Sequence, residues 1–170
     1  FLACLLQVYK DFKNIKFKVT MESFIDTFTN LLTIDKFIQY NNGSLISIFH
    51  SNKISNVNIH EYKYSVLYNS LDLTKETDYL FLEKCISSYE NYKNYIKSNK
   101  THVDHTYLWD IITEDDNPIL GQPFNLIIME MSDDDITNNV NFLCPTNAYS
   151  NHIYNSKWNS ILMIKNGLYY

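Results

Sequence analysis

The stretch SILMIKNGLYY, residues 160–170, decides how the fold of this chain is interpreted. It runs from an apolar segment through an Asn-Gly pair to Tyr169 and Tyr170. Asn-Gly is a favoured two-residue turn between antiparallel strands. The stretch therefore predicts a β-strand followed by a hairpin turn, with both tyrosines beyond the turn.

Two more strands are predicted upstream of this one. FNLIIMEM at 124–131 is a compact apolar run, and VNFLCPTN at 140–147 is a second run that is closed by Pro145. Short apolar runs bounded by loop residues are typical of strands in a small sheet. The acidic segment between the two runs predicts a connection on the surface.

Helical spacing of apolar residues dominates the first two thirds of the chain. The predicted helices cover residues 1–12, 20–32, 34–40, about 74–97 and 103–113. Thr20, Thr33 and Asp104 stand where helix N-caps are expected. Residues 44–49, SLISIF, alternate in the manner of a short strand.

The helix at about 74–97 is the longest, and its apolar side is assigned to the core. The residues that the spacing places inward are Leu80, Cys85, Ile86, Tyr89, Tyr92 and Ile96. Helices come first and strands come last along the chain. The sequence therefore predicts a single α+β domain over residues 1–170, in which a small sheet is packed by several helices.

Composition excludes several classes of function. The chain has 170 residues, a formal net charge of −5 and no arginine. Nucleic-acid-binding proteins need a basic surface, and arginine supplies their bidentate contacts, so no nucleic-acid partner is predicted. With Gly 3 there is no Gly-rich phosphate loop, and no cofactor is predicted. No apolar stretch is long enough to cross a bilayer, so no membrane association is predicted.

Cysteine usage and amino-acid bias indicate the setting of the protein. Cys4, Cys85 and Cys144 form an odd set without CxxC spacing, which indicates a reduced, intracellular protein. Abundant Asn, Ile, Lys and Tyr without Arg indicate an AT-rich genome, such as that of a large DNA virus. The opening FLACLL lacks the basic segment of a signal peptide and is interpreted as a helix whose start is missing. Both ends look cropped, so we expect a segment of a larger polypeptide.

Two clusters of potential metal ligands are attributed to the surface. His102 and His105 flank Asp104 in the segment HVDH, but zinc needs three or four converging ligands and no distant partner is indicated. The acidic residues 133–135 lack the spacing of a calcium loop. No metal site is predicted.

Cys4 is the natural candidate for a nucleophile, and His152 is a candidate base. Cys4 lies among leucines on the first helix, and we expect a thiol in such apolar surroundings to be unreactive. His152 lies in a polar loop without a predicted partner. Core positions are predicted for Cys85 and Cys144.

The order of the segments resembles that of the ovarian-tumour-like (OTU) cysteine proteases. The opening helix FLACLLQVY, the long helix ending in NYKNYIKSN, the YLWDII segment, the strands NLIIMEM and NFLCPTN and the final SILMIKNGLYY follow one another as in that family. The resemblance covers most of the chain. OTU proteases are papain-like enzymes that typically cleave ubiquitin from proteins, and viral members also process viral polyproteins.

The resemblance implies a broken catalytic dyad. The nucleophilic cysteine of the family precedes an LF-like pair, which Phe1 and Leu2 would match, so the nucleophile position lies immediately upstream of Phe1. The histidine of the family begins a His-Tyr pair in the closing strand, and here that pair is Tyr169 and Tyr170. A phenol with a reference pKa near 10 cannot act as a general base at neutral pH without a large shift.

Three functions stay open at this point. The first is a catalytically degenerate OTU-like domain of a viral protein, acting in binding or assembly with a protein partner, ubiquitin-like or viral, in the host cytoplasm or virion. The second is an active OTU-type cysteine protease or deubiquitinase with its nucleophile just upstream of Phe1 and a base such as His152. The third is a structural domain without protease ancestry. We expect the first, because residues 158–170 contain no histidine.

Overall fold

Helices form one layer of the fold and a three-stranded sheet forms the other. A computed structural model describes residues 1–51, 57–98, 103–131, 139–143 and 154–167. The α-helices in these ranges are α1 Leu2–Phe12, α2 Met21–Leu31, α3 Ile34–Phe37, α4 Ser44–Phe49, α5 Val66–Ser70, α6 Glu76–Lys97 and α7 Trp109–Thr113. Short 3₁₀ helices lie at Tyr40–Gly43, Ile59–Tyr62 and His105–Tyr107. The strands are β1 Phe124–Met131, β2 Val140–Leu143 and β3 Asn159–Asn166.

The sheet is mixed and has β1 at its centre. The strand order is β2-β1-β3, with β1 antiparallel to β2 and parallel to β3. The residues 128–131 of β1 have register partners on both sides; Met129, for example, pairs with Phe142 on β2 and with Ile164 on β3. Helices together with this small sheet confirm the predicted α+β class.

The turn after β3 begins as the sequence predicts. Asn166 is the last residue of the strand, and Gly167 has a φ of 58°, in the left-handed region that favours glycine. Residues 168–170, with the two tyrosines, lie outside the described residues.

The apolar stripe of α6 forms the centre of the core. Its inward residues are Leu82, Cys85, Ile86, Tyr89, Tyr92 and Ile96, all of them buried. Apart from the adjacent Cys85 and Ile86, these positions follow one another in steps of three or four residues, so they share one side of the helix. The prediction for Leu80 is wrong: its side chain is 53% exposed. Leu80 lies two residues from Leu82, which is about 200° around the helix.

The segment 44–49, predicted as a short strand, is the helix α4. Its apolar residues also fit a helix, because Leu45 and Phe49 are four residues apart and both contribute to the core. Side chains of α6 bind the carbonyls of α4: the Ser88 hydroxyl donates to Ile46 O at 2.8 Å, and Asn91 Nδ2 donates to Phe49 O at 2.9 Å. The local alternation of the sequence is overridden by these tertiary contacts.

The helix predicted at 103–113 is divided into a 3₁₀ turn and α7. Asp104 is the predicted cap, and its Oδ1 accepts from the backbone N–H of Thr106 at 2.8 Å. The carbonyl of Tyr107 accepts the Tyr92 hydroxyl at 2.7 Å, which ties the end of the 3₁₀ turn to α6. The caps predicted at Thr20 and Thr33 are confirmed, because both side chains accept a backbone N–H three residues on.

Two leucines of α6 give a matched test of this packing. Leu82→Ala removes a side chain that is 0% exposed and should lower the free energy of unfolding by about 2–5 kcal/mol. Leu80→Ala makes the same chemical change on the exposed side and should alter it by no more than about 0.5 kcal/mol. Urea denaturation followed by circular dichroism measures both values. Equal losses in the two variants would contradict the assigned orientation of α6.

Candidate functional site

The start of α1 lies against the 3₁₀ turn His105–Tyr107. The ring centroids of Phe1 and His105 are 6.3 Å apart, and the ring of Trp109 lies 5.8 Å from His105 in an edge-on contact. The imidazole therefore contacts two aromatic rings and is only 6% exposed. Sequence spacing gave no indication that His105 would face the first helix.

Asp104 and His105 form a neighbouring acid–imidazole pair. The distance from His105 Nδ1 to Asp104 Oδ1 is 3.2 Å. Burial lowers the pKa of His105, and the nearby Lys165 lowers it further, although the Asp104 and Glu130 carboxylates oppose the shift. Burial alone would raise the pKa of Asp104, but the hydrogen bonds from Thr106 bring it below its usual range. At neutral pH the pair therefore consists of a carboxylate and an uncharged imidazole.

The ends of two parallel strands complete this region. Glu130 near the end of β1 and Lys165 near the end of β3 are register partners, and Lys165 Nζ donates to Glu130 Oε1 at 2.5 Å. The C-terminal ends of two parallel strands lie at the same end of a sheet. Glu130 raises and Lys165 lowers the pKa of His105, so both charges act on the imidazole beside the start of α1. The sequence contained a signal for this pair, because Glu130 and Lys165 carry opposite charges and each comes one position before the last residue of its strand.

The cysteines of the described residues occupy structural positions. Cys4 is half-buried on α1 and packs against the core. Cys85 is fully buried on α6, as predicted, and burial raises the pKa of its thiol to about 11. Such a thiol stays protonated at neutral pH and is a poor nucleophile.

Several predicted residues lie outside the described ranges. They are His102, the acidic residues 133–135, Cys144, His152 and Tyr169. In the part of the chain that the structure does describe, no three His, Cys, Asp or Glu side chains converge to hold a metal ion. The helices of that part also include none with the length and apolar character needed to cross a bilayer.

A second polar centre joins α7 to the turn before α4. Asp110 Oδ2 accepts the backbone N–H of Asn41 at 2.5 Å, and Asn41, Asn42 and Gly43 all have positive φ values. Asp110 is buried, and its Oδ1 has no hydrogen-bond partner within the described residues. Burial raises the pKa of Asp110 to about 6. This carboxyl is a structural anchor for the left-handed turn that starts α4.

The sheet has one buried and one open side. Side chains that face the helices, such as Leu126, Ile128 and Met163, are buried. We call the opposite side the outer face, and its apolar residues are Ile127, Met129, Met131, Val140, Phe142, Leu162 and Ile164. Successive residues of a strand point to opposite sides of the sheet, and register partners point to the same side. All seven therefore belong to one continuous surface.

The two ends of the outer face differ in chemistry. At the start of β1, Asn125 is buried beneath the segment that leads into β3, where its Nδ2 donates to Asn155 O at 2.9 Å and its Oδ1 accepts Asn155 N–H at 2.7 Å. Towards the other end, Phe142 is 65% exposed and Leu162 is 60% exposed. The outer face is thus a polar, covered end followed by an open apolar area.

Comparisons of the chain with protein-family models, with curated proteins and with solved structures found no significant match in any of the three. The candidate sites consequently stand on their geometry: a closed polar centre at the start of α1 and an open apolar face on the sheet.

The buried Asp110 predicts an unusual pH dependence of stability. Its pKa in the folded chain, about 6, lies above the ordinary 3.8, so folding takes up a proton between these values. This carboxyl should lower the free energy of unfolding by roughly 2–3 kcal/mol as pH rises from about 4 to about 7. Asp110→Asn should remove that part of the fall, measured by urea denaturation at several pH values.

Asp116 supplies a control of opposite sign. Hydrogen bonding to Lys36 lowers the pKa of Asp116, so its contribution is lost as pH falls. Asp116→Asn should therefore leave the fall in stability above pH 4 in place. A pH profile that is identical in the parent chain and in Asp110→Asn would contradict the raised pKa of the buried Asp110.

Proposed function

We propose that this chain is a catalytically degenerate OTU-like domain of a viral protein that acts in binding or assembly, in the host cytoplasm or the virion. The element order of an α+β domain supports the proposal. The observation that carries it is the closed state of the start of α1, where an OTU protease has its nucleophile. The described histidine at that place, His105, is buried and contacts the rings of Phe1 and Trp109.

A general base must reach the proton that it removes from the nucleophile, within about 3 Å or through one water. His105 is a buried, uncharged imidazole whose Nδ1 is beside Asp104 and whose ring contacts the rings of Phe1 and Trp109. The position that corresponds to the catalytic histidine of the family carries Tyr169, a phenol with a reference pKa near 10. Both facts favour a domain without hydrolytic activity.

A binding role is supported by the outer face of the sheet. A large continuous apolar area on the surface of a folded domain often marks a contact with another protein, whereas single scattered apolar residues do not. Five of its seven apolar residues are exposed, and they adjoin one another across all three strands. The partner of such a surface is a protein, ubiquitin-like or viral under this proposal.

One observation favours the alternative, an active OTU-type cysteine protease. The Asp104–His105 pair has the components of a base and its orienting carboxylate, and Phe1 contacts the ring of His105. A cysteine immediately before Phe1 would then lie at the start of a helix, where the helix dipole stabilises a thiolate. In this alternative His105, rather than His152, is the base.

A ubiquitin-based covalent probe separates the two functions. The full-length protein is incubated with ubiquitin that carries a cysteine-reactive group at its C-terminus, and adducts are read by mass spectrometry. We expect no adduct, because Cys85 is buried with a raised thiol pKa and His105, the described histidine beside α1, is buried as well. An active OTU protease treated in parallel controls for the probe.

The variants make a positive result interpretable. An adduct that disappears in Cys4→Ala, or on replacing a cysteine that precedes Phe1, would refute the degenerate-domain proposal. Loss of that adduct in His105→Ala but not in His60→Ala, a histidine on the exposed 3₁₀ helix Ile59–Tyr62, would assign the base to His105.

A further inference from the structure

We infer that the outer face of the sheet is the contact through which two copies of this chain form a twofold dimer. The inference rests on the proposed role in assembly and names the partner for that role. It follows from the composition, the area and the strand order of the outer face.

The outer face is apolar without interruption from one edge of the sheet to the other. Met129 on β1 lies between Phe142 on β2 and Ile164 on β3. Ile127 is the register partner of Leu162, and Met131 is that of Val140. Methionine side chains adapt their shape to a partner, so the central strand suits a contact with another apolar surface.

The area of this surface matches what a small dimer contact needs. The exposed residues Met131, Val140, Phe142, Leu162 and Ile164 together present roughly 500 Å² of apolar surface, near the upper limit for a monomeric protein. Two copies that cover each other would bury about 1,000 Å², which is the lower limit for a specific interface.

The distribution of charge favours a second copy over a charged partner. The charged strand residues Glu130 and Lys165 are bonded to each other and belong to the opposite side of the sheet. The outer face itself carries no charged strand residue, although the chain has a net charge of −5. A basic or acidic partner would find no counter-charge there, whereas an identical neutral face meets it without burying a charge.

The strand order gives the face a self-complementary arrangement. A twofold axis along the direction of β1 places β2 of one copy over β3 of the other, with the two β1 strands facing each other. The large ring of Phe142 then packs on the branched side chains Leu162 and Ile164 of the second copy, and Met129 packs near the axis. Two sheets packed in this way lie about 10 Å apart and form a sandwich.

Sedimentation velocity over protein concentrations from about 1 to about 100 µM tests the inference. We expect a monomer–dimer equilibrium in the full chain. Phe142→Lys and Leu162→Lys should each weaken the dimer at least tenfold, because each buries an ammonium in the apolar contact. Phe17→Lys is the matched control: Phe17 is an exposed phenylalanine between α1 and α2, and its replacement should leave the equilibrium unchanged.

Two further measurements test the same dimer contact independently of the lysine substitutions. Raising the salt concentration should strengthen the dimer or leave it unchanged, because it screens the repulsion between two negatively charged copies. Met129→Cys adds no charge. A short bis-maleimide should cross-link this variant efficiently through position 129 of each of the two copies. Phe17→Cys should give only the background set by the native cysteines.

Each result has a defined meaning. A chain that is monomeric at all concentrations, or a dimer that survives both outer-face lysine substitutions in folded protein, would overturn the inference. A monomeric chain that binds a different protein through Phe142 and Leu162 would also overturn the inference, but it would leave the proposed binding role in place. An adduct with the ubiquitin probe would refute the proposed function and leave the dimer unaffected.

Discussion

The central strand β1 is the constraint on which the rest of the structure depends. Its sequence FNLIIMEM is apolar at nearly every position, so the strand offers apolar side chains to both sides of the sheet. A strand of this kind is stable when both faces are covered, as in sheets that lie between two layers. The helices cover one face, where Leu126 and Ile128 are buried. The other face leaves the apolar side chains of all three strands exposed.

The same strand positions the polar centre. Parallel pairing with β3 brings Glu130 and Lys165 to one edge of the sheet, and their ion pair satisfies both groups there. The Asp104–His105 pair and the start of α1 lie near that edge. Aromatic packing closes the centre around an uncharged imidazole. The fold therefore separates a polar region around the buried His105 from an open apolar surface on the other side of the sheet.

The features that could be predicted from the sequence are those that depend on near neighbours in the chain. The caps at Thr20, Thr33 and Asp104 were predictable, because a capping side chain binds a backbone N–H two or three residues away. The three strands were predictable from short apolar runs. The orientation of α6 was predictable except at Leu80, where an apolar residue near the helix start was wrongly included in the buried stripe.

The sequence by itself determined the α+β class, the long helix and the approximate place of each strand, because periodicity and capping act over a few residues. Only the tertiary structure decided that SLISIF is a helix, since hydrogen bonds from Ser88 and Asn91 and the left-handed turn at Asn41 select that conformation. Only it decided that β3 runs parallel to β1 and that His105 meets Phe1. These contacts join residues far apart in the chain, and their geometry is fixed by burial in a shared core rather than by any local pattern.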